Sequence, residues 1–106
     1  MKYIRSKIKK RLKKYLESDT SGIRSFVIKI LLKVKKVTVD YLYEILSKKF
    51  EVTRAAVAAM IGYIYSKLGI LHAHKESYKT PTVYILKSKY ISMIQSILNE
   101  NPTDAV

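Results

Sequence analysis

His72 and His74 are the side chains best suited to acid–base or metal chemistry in this sequence, and they stand two residues apart. On a β-strand this spacing places both imidazoles on the same side, as in a pair of metal ligands. The sequence has no cysteine, and no third ligand accompanies the pair, whereas zinc sites use three or four protein ligands. We therefore expect no metal and no other cofactor. The histidines are better suited to stacking, to a surface hydrogen bond or to a phosphate contact.

Groups that could catalyse a reaction are not clustered anywhere in the sequence. The eight Asp and Glu residues are scattered along the chain. Neither a glycine-rich phosphate loop nor a nucleophile with a base beside it is present, and these are the arrangements that catalysis requires. We therefore do not expect an enzyme, and no small-molecule substrate is evident.

Phosphate binding is the chemistry that lysine and arginine side chains offer, and these residues are concentrated at the start of the chain. The formal net charge is +13 at pH 7. Residues 1–36 hold thirteen of the 21 Lys and Arg residues but only two of the eight acids. A surface this basic attracts polyanions such as nucleic acid, anionic lipid or an acidic partner.

A short helix, a tight turn and a second helix are predicted between residues 38 and 69. Thr38 and Thr53 are placed to cap the free N–H groups at the start of each helix. Apolar residues recur at helical spacing in both segments: Val39, Leu42, Ile45 and Leu46 in the first, and Val57, Ile61, Ile64 and Leu68 in the second. Gly69 follows, where helices often end with a left-handed residue.

Residues 70–87 have the composition of a two-stranded β-hairpin. The predicted strands are residues 71–75 and 82–87, and Lys75, Tyr78 and Lys79 lie at or near the tip between them. Two lysines and a tyrosine at a hairpin tip suit contact with a phosphate backbone or a minor groove. A plain solvent-exposed hairpin loop is the alternative interpretation.

Helices are also predicted on both sides of this unit. Residues 23–34 carry a broad apolar face, and Lys35 and Lys36 at the end of that helix suit the negative end of its dipole. Residues 88–100 form an amphipathic helix without a basic face, which packs either on a second subunit or on its own chain. Residues 101–106 are expected to fray.

Residues 1–17 are predicted to form a basic amphipathic helix. Its cations are candidates for phosphate contacts, among them Lys7, Lys10, Arg11 and Lys14. We expect its narrow apolar stripe to dock on the domain or on a second copy. An anionic membrane surface and simple solvation of the lysines are the alternatives.

These segments resemble the winged helix-turn-helix family of DNA-binding domains, most closely a small archaeal group of uncharacterised winged-helix proteins. The resemblance covers roughly residues 20–90 and rests on capping and packing patterns at residues 38–42, 52–57 and 67–71. It implies nucleic-acid binding through residues 54–66 and through the hairpin, or wing, and it implies no reaction. The expected fold is therefore mainly α with a small β-hairpin. In this expected fold, residues 20–87 form a winged helix-turn-helix. An extra basic helix precedes it, and an amphipathic helix follows it.

The outward face of the second helix, opposite its apolar stripe, is unusually small. It holds Ala55, Ala59, Gly62 and Ser66 and is flanked by Ala56 and Tyr63. Direct readout in the major groove needs long side chains with donors and acceptors, and only Arg54 and Tyr63 are of that kind.

Two interpretations of this face stay open. In the first, the protein binds double-stranded DNA mostly through electrostatic contacts with the backbone, and small residues allow close approach. The candidate contacts are then Arg54, Ala55, Ala59, Tyr63, Ser66, Lys75, Tyr78 and Lys79, together with the four cations of residues 1–17. In the second, the small face packs against another helix, and the protein is an interaction module.

The length of 106 residues allows one domain with a modest core. No apolar run approaches the roughly 20 residues that span a bilayer, and the first 17 residues lack the apolar core of a signal peptide. We expect a cytoplasmic transcriptional regulator that forms a homodimer through its terminal helices.

Overall fold

The computed structural model describes the backbone of residues 2–99 and the side chains of residues 4–99. This part of the chain is mainly helical with a small antiparallel sheet, as predicted, and the predictions for residues 100–106 lie outside it. Its elements are α1 (Lys2–Glu17), α2 (Ile23–Val34), β1 (Lys36–Val37), α3 (Val39–Ser47), α4 (Arg54–Tyr63), β2 (Leu71–His74), β3 (Val83–Leu86) and α5 (Ile91–Asn99). A π-helical segment, Ile64–Leu68, continues α4, and a 3₁₀ turn, Ser88–Tyr90, leads into α5.

The caps that open α3 and α4 are the predicted threonines. Thr38 Oγ1 accepts a hydrogen bond from the backbone N–H of Tyr41, and Thr53 Oγ1 accepts one from Ala56, each at 3.1 Å. An extended threonine that accepts from the third residue of the helix satisfies one of the otherwise unpaired donors of the first turn. The two caps therefore fix where each helix begins.

The end of the second helix differs from the expected α-helix. Residues 64–68 wind as a π-helix, and the N–H of Gly69 donates to the carbonyl of Ile64 at 3.2 Å. The hydroxyl of Ser66 donates to the carbonyl of Gly62 at 2.8 Å, so it competes for an acceptor that the α-helical ladder would use. Gly69 ends the helix in the left-handed region, with φ of 72°, as predicted.

The sheet has three strands in the order β1–β3–β2, where the sequence predicted only the hairpin of β2 and β3. The helix predicted over residues 23–34 is confirmed, and Lys36, two residues after its end, pairs with Ile85 of β3. Lys35 ends α2, as predicted. Its backbone is left-handed, with φ of 69°, and this turn directs the chain into β1.

Both terminal helices pack on the domain. Their buried residues are Ile8, Leu12, Tyr15 and Leu16 in α1 and Met93, Ile94 and Ile97 in α5. Docking of the apolar stripe of the first helix on its own domain is therefore confirmed, although Ile4 of that stripe is 54% exposed. A homodimer through these helices would have to use their remaining, mostly polar surface, and it stays a prediction.

The hydrophobic core is continuous from α1 to α5 and includes the inward face of α4. Val57, Ile61 and Ile64 on that face are completely buried. Because this stripe faces the core, the opposite side of α4 is turned to solvent. No helix within residues 2–99 is both long and apolar enough to cross a membrane.

Candidate nucleic-acid interface

The outward face of α4 is smooth and almost without hydrogen-bonding groups. Ala55 and Ala59 are exposed, and a Cβ added at Gly62 would meet no atom within 4 Å. The one hydroxyl on this face, that of Ser66, already donates to the carbonyl of Gly62. The face therefore offers close approach to a partner but little direct hydrogen bonding.

Arg54 lies at the start of α4 but is paired within the chain. Its Nε atom is 2.6 Å from Oδ1 of Asp40, near the start of α3, and both side chains are largely exposed. The hydrogen bond and the charge of Arg54 lower the pKa of Asp40, and the same contact raises the pKa of Arg54. Arg54 is thus held towards α3, at one side of the outward face.

Tyr63 lies on the opposite side of α4, towards α1. Its ring stacks on the ring of Tyr15, with a centroid distance of 5.5 Å and an interplanar angle of 18°. The guanidinium carbon of Arg24 lies 4.6 Å from the Tyr15 centroid, and Nη1 of Arg24 donates to the Tyr15 carbonyl at 3.0 Å. Burial raises the pKa of Tyr15 to about 12, although the charge of Arg24 opposes this change. Tyr15 is therefore an uncharged, buried support for Tyr63.

A groove of about 520 Å³ runs between α1 and α4 along this side, and we call it the α1–α4 groove. Its lining includes Arg11, Lys14 and Tyr15 from α1 and Ala56, Ala59 and Tyr63 from α4. Nη1 of Arg11 donates to the carbonyl of Lys67 at 3.3 Å, which ties α1 to the end of the π-helical segment. The structure thus brings two of the predicted phosphate-binding cations of the first helix beside the outward face of α4.

Lys7 and Lys10 belong to the same side of α1. Lys7 lies four residues before Arg11, and Lys10 lies four residues before Lys14. Residues at this spacing share a helix face. Both are exposed. The four cations that were selected from the sequence therefore share one basic side of α1, and Arg11 and Lys14 are the two that line the groove beside α4.

The wing starts beside the other end of α4. β2 packs against the π-helical segment, and the rings of Tyr65 and Tyr84 meet edge to face at 5.8 Å. Lys75, Tyr78 and Lys79 are exposed, and Tyr78 is 85% exposed.

Hydrogen bonds between Ser77 and Thr80 organise the wing tip. The N–H of Ser77 donates to Oγ1 of Thr80 at 3.1 Å, and that hydroxyl donates to the carbonyl of Ser77 at 2.9 Å. The tip is therefore a defined turn, and it presents Tyr78 and Lys79 from its centre.

The two histidines point to no metal centre. His72 and His74 are both exposed on β2. Within the described residues, no group of three or more His, Asp or Glu side chains is arranged to hold a metal ion. His72 instead lines a polar pocket with Ser66 and Lys87, at the end of α4.

Arg24, Tyr15 and Lys87 were not among the side chains selected from the sequence. Tyr15 belongs to the apolar stripe of the first helix, and Arg24 carries no motif that distinguishes it from other cations. Helical spacing gives the side of a helix on which a residue lies, but it does not give the neighbouring helix that this side meets. The contact of α1 with α4 could therefore not be predicted locally.

Comparison with known proteins agrees with the predicted relation to a small archaeal group. Residues 12–94 match the model of a family described as "Protein of unknown function (DUF2551)". An uncharacterised protein of Archaeoglobus fulgidus is 35% identical over 94 residues, which cover 88% of this chain and 94% of that protein. No solved structure matches the chain.

Proposed function

The chain belongs to the family of proteins of unknown function DUF2551, and from its surface we propose that it is a winged helix-turn-helix protein that binds double-stranded DNA. Binding is mostly electrostatic and directed at the backbone. Transcriptional regulation in the cytoplasm is the role that suits such a protein best.

The order of the elements supports the winged helix-turn-helix assignment. α3 and α4 are consecutive helices joined by a short turn, and the hairpin of β2 and β3 follows α4 directly. In a helix-turn-helix the second helix lies in the major groove and the first crosses the backbone. α4 would be the helix in the groove, with β2 and β3 as the wing.

The observation that carries the proposal is the position of the basic side of α1. Arg11 and Lys14 line the same groove as Ala56 and Ala59 of α4. A duplex that receives α4 in its major groove would therefore have cations of α1 near one backbone. The wing, with Lys75 and Lys79, follows the far end of α4 and would approach the duplex there.

The chemistry of the outward face argues for contact with the backbone and against direct base readout. Arg54 is paired with Asp40, and Ser66 donates to its own helix. Bidentate contacts to guanine or adenine need guanidinium or amide groups that face the base, whereas the Nε atom of Arg54 is turned to Asp40 on α3. Discrimination between sequences would then depend on the shape and deformability of the duplex.

A pair of matched double variants tests the contribution of the wing. We expect Lys75→Gln/Lys79→Gln to weaken binding of a fluorescent duplex and to lower the salt slope of binding by about two, one for each lost phosphate contact. Lys9→Gln/Lys33→Gln makes the same change in net charge at exposed positions outside the proposed interface and should leave the slope unchanged. If both double variants weaken duplex binding and lower the salt slope equally, binding depends only on net charge and the wing makes no specific contact.

An arginine at Ala59 separates DNA binding from the alternative, a protein-interaction module. If α4 faces a duplex, Ala59→Arg leaves the oligomeric state unchanged in size-exclusion chromatography with light scattering. If the small face is an interface between proteins, the bulky charge dissociates the assembly. Loss of an oligomer together with unchanged duplex binding would contradict the proposed function.

A further inference from the structure

The α1–α4 groove has the dimensions of a site for a small ligand. On the α4 side its lining runs from Ala56 to Tyr63, which corresponds to about 10 Å of helix at 1.5 Å per residue. Its volume of about 520 Å³ is within the range of roughly 300–1,000 Å³ that is usual for small-molecule sites. A partner helix of three turns or more would extend well beyond it.

The charge around the groove favours an anion. Arg11, Lys14 and Arg24 all contribute to its lining, and none of the described lining residues is acidic. The carboxylate of Asp19 is close to Tyr15 and Arg24. However, its oxygens accept backbone hydrogen bonds at the start of α2, from Gly22, Arg24 and Ser25, each at 3.2 Å. Asp19 is thus used to cap α2.

The floor of the groove favours an aromatic group. Tyr63 remains 47% exposed although its ring stacks on Tyr15. Ala56 and Met60 beside it present apolar surface to the groove. An exposed ring over a rigid support is a platform on which a nucleobase can stack.

We propose that the α1–α4 groove binds a nucleotide, with its base packed on Tyr63 and its phosphate held by Arg11 and Lys14. A planar base and a phosphate together match an aromatic floor with a cationic rim, whereas inorganic phosphate uses only the rim. The nucleotide comes either from solution or from an unpaired position in a single strand. The proposal does not rest on duplex binding, because a base within a duplex is already stacked and paired.

Titration with three probes tests the proposal and identifies the source. Adenosine 5′-monophosphate, a ten-residue oligothymidylate and inorganic phosphate are added separately to the ¹⁵N-labelled full chain, and backbone amide shifts are recorded. Shifts of Ala56, Ala59 and Tyr63 with the mononucleotide support a site for a free nucleotide. The same shifts with the oligonucleotide alone support a site for a single strand. Equal shifts with phosphate alone, or no shifts in the groove with any probe, overturn the proposal.

Variants at Tyr63 test the stacking platform. Tyr63→Leu keeps apolar bulk against Tyr15 but removes the ring, and we expect about 5- to 150-fold weaker nucleotide binding. Tyr63→Phe keeps the ring and should bind as the wild type does. Wild-type affinity in Tyr63→Leu would overturn the proposal.

Variants on α1 test the rim and do not depend on the stability of the Tyr63 variants. Lys14→Gln removes an exposed cation of the groove and should weaken binding, whereas Lys9→Gln removes one that does not line it. Equal nucleotide affinity of these two variants would mean that the rim does not hold the phosphate, and it would also overturn the proposal.

Discussion

At the scale of single residues, Tyr15 connects stability with the candidate interface. Its ring is 7% exposed and supports Tyr63, while its hydroxyl is buried without a hydrogen-bond partner in the described part of the chain. A buried hydroxyl left unpaired destabilises the folded state by about 1–3 kcal/mol. This position thus combines a useful ring with an unfavourable polar group.

Tyr15→Phe keeps the ring and removes the hydroxyl. We expect the free energy of unfolding at pH 7 to rise by about 1–3 kcal/mol, measured by urea denaturation. The stacking partner Tyr63 is unchanged, so nucleotide binding should be retained. A lower stability of the variant would show that the hydroxyl makes a favourable contact.

The difference in stability between the wild type and Tyr15→Phe depends on pH. Burial raises the pKa of Tyr15 to about 12, whereas the unfolded chain has the ordinary value near 10. The native state therefore holds this proton more tightly. The folded state keeps this stabilisation in full below about pH 10. As the pH rises to about 12 the stabilisation is lost, and the free energy of unfolding falls by about 2–3 kcal/mol. The wild type should lose this much more stability than Tyr15→Phe over that interval, and parallel losses would contradict the account.

Asp40 is expected to oppose DNA binding through its pairing with Arg54. Asp40→Asn removes one negative charge and frees the guanidinium, so it should tighten duplex binding a few-fold at low salt, measured by fluorescence anisotropy. Arg54→Ala should weaken it. If both variants weaken binding equally, the carboxylate instead holds Arg54 in its binding position.

At the scale of secondary-structure elements, α4 contains a glycine that its own fold does not require. Gly62 lies in helical backbone without a positive φ, and an added Cβ would meet open space. A glycine inside a helix is about 0.5–1 kcal/mol less stable than alanine. A small residue at this position therefore suits a partner that approaches the outward face closely.

Gly62→Ala tests whether this face approaches DNA. We expect the free energy of unfolding to rise by about 0.5–1 kcal/mol and duplex binding to weaken, because a methyl group is added to the face in the groove. Ala59→Gly is the reverse control, with lower stability and no loss of affinity beyond that caused by unfolding. Unchanged duplex affinity in Gly62→Ala would argue against close approach.

The elements differ in how far local sequence predicts them. The starts of α3 and α4 and the end at Gly69 are predictable because Thr38, Thr53 and Gly69 act on their own neighbourhood. β1 is not, since two residues show no periodicity and the partner strand lies far along the chain. The pairing of Arg54 with Asp40 and the α1–α4 groove likewise depend on tertiary packing, although the residues on each helix face could be predicted.

At the scale of the whole molecule, packing brings the most basic segment of the chain beside elements that carry little net charge. The opening third carries most of the net charge, while α3, α4 and the wing are nearly neutral in total. Burial of Ile8 and Leu12 docks α1 in the core and turns Arg11 and Lys14 towards α4. The proposed function depends on this arrangement, because it adds positive charge beside a helix face that has almost none of its own.

The dependence of duplex affinity on salt tests this claim most directly. Six phosphate contacts, from Lys7, Lys10, Arg11, Lys14, Lys75 and Lys79, predict a slope of about −5 in a plot of log association constant against log salt. Affinity should then fall about 1,000-fold between 50 and 200 mM salt. Fluorescence anisotropy with a duplex of arbitrary sequence measures this fall. An affinity that changes less than about threefold over the same range, equivalent to fewer than one phosphate contact, would contradict the account.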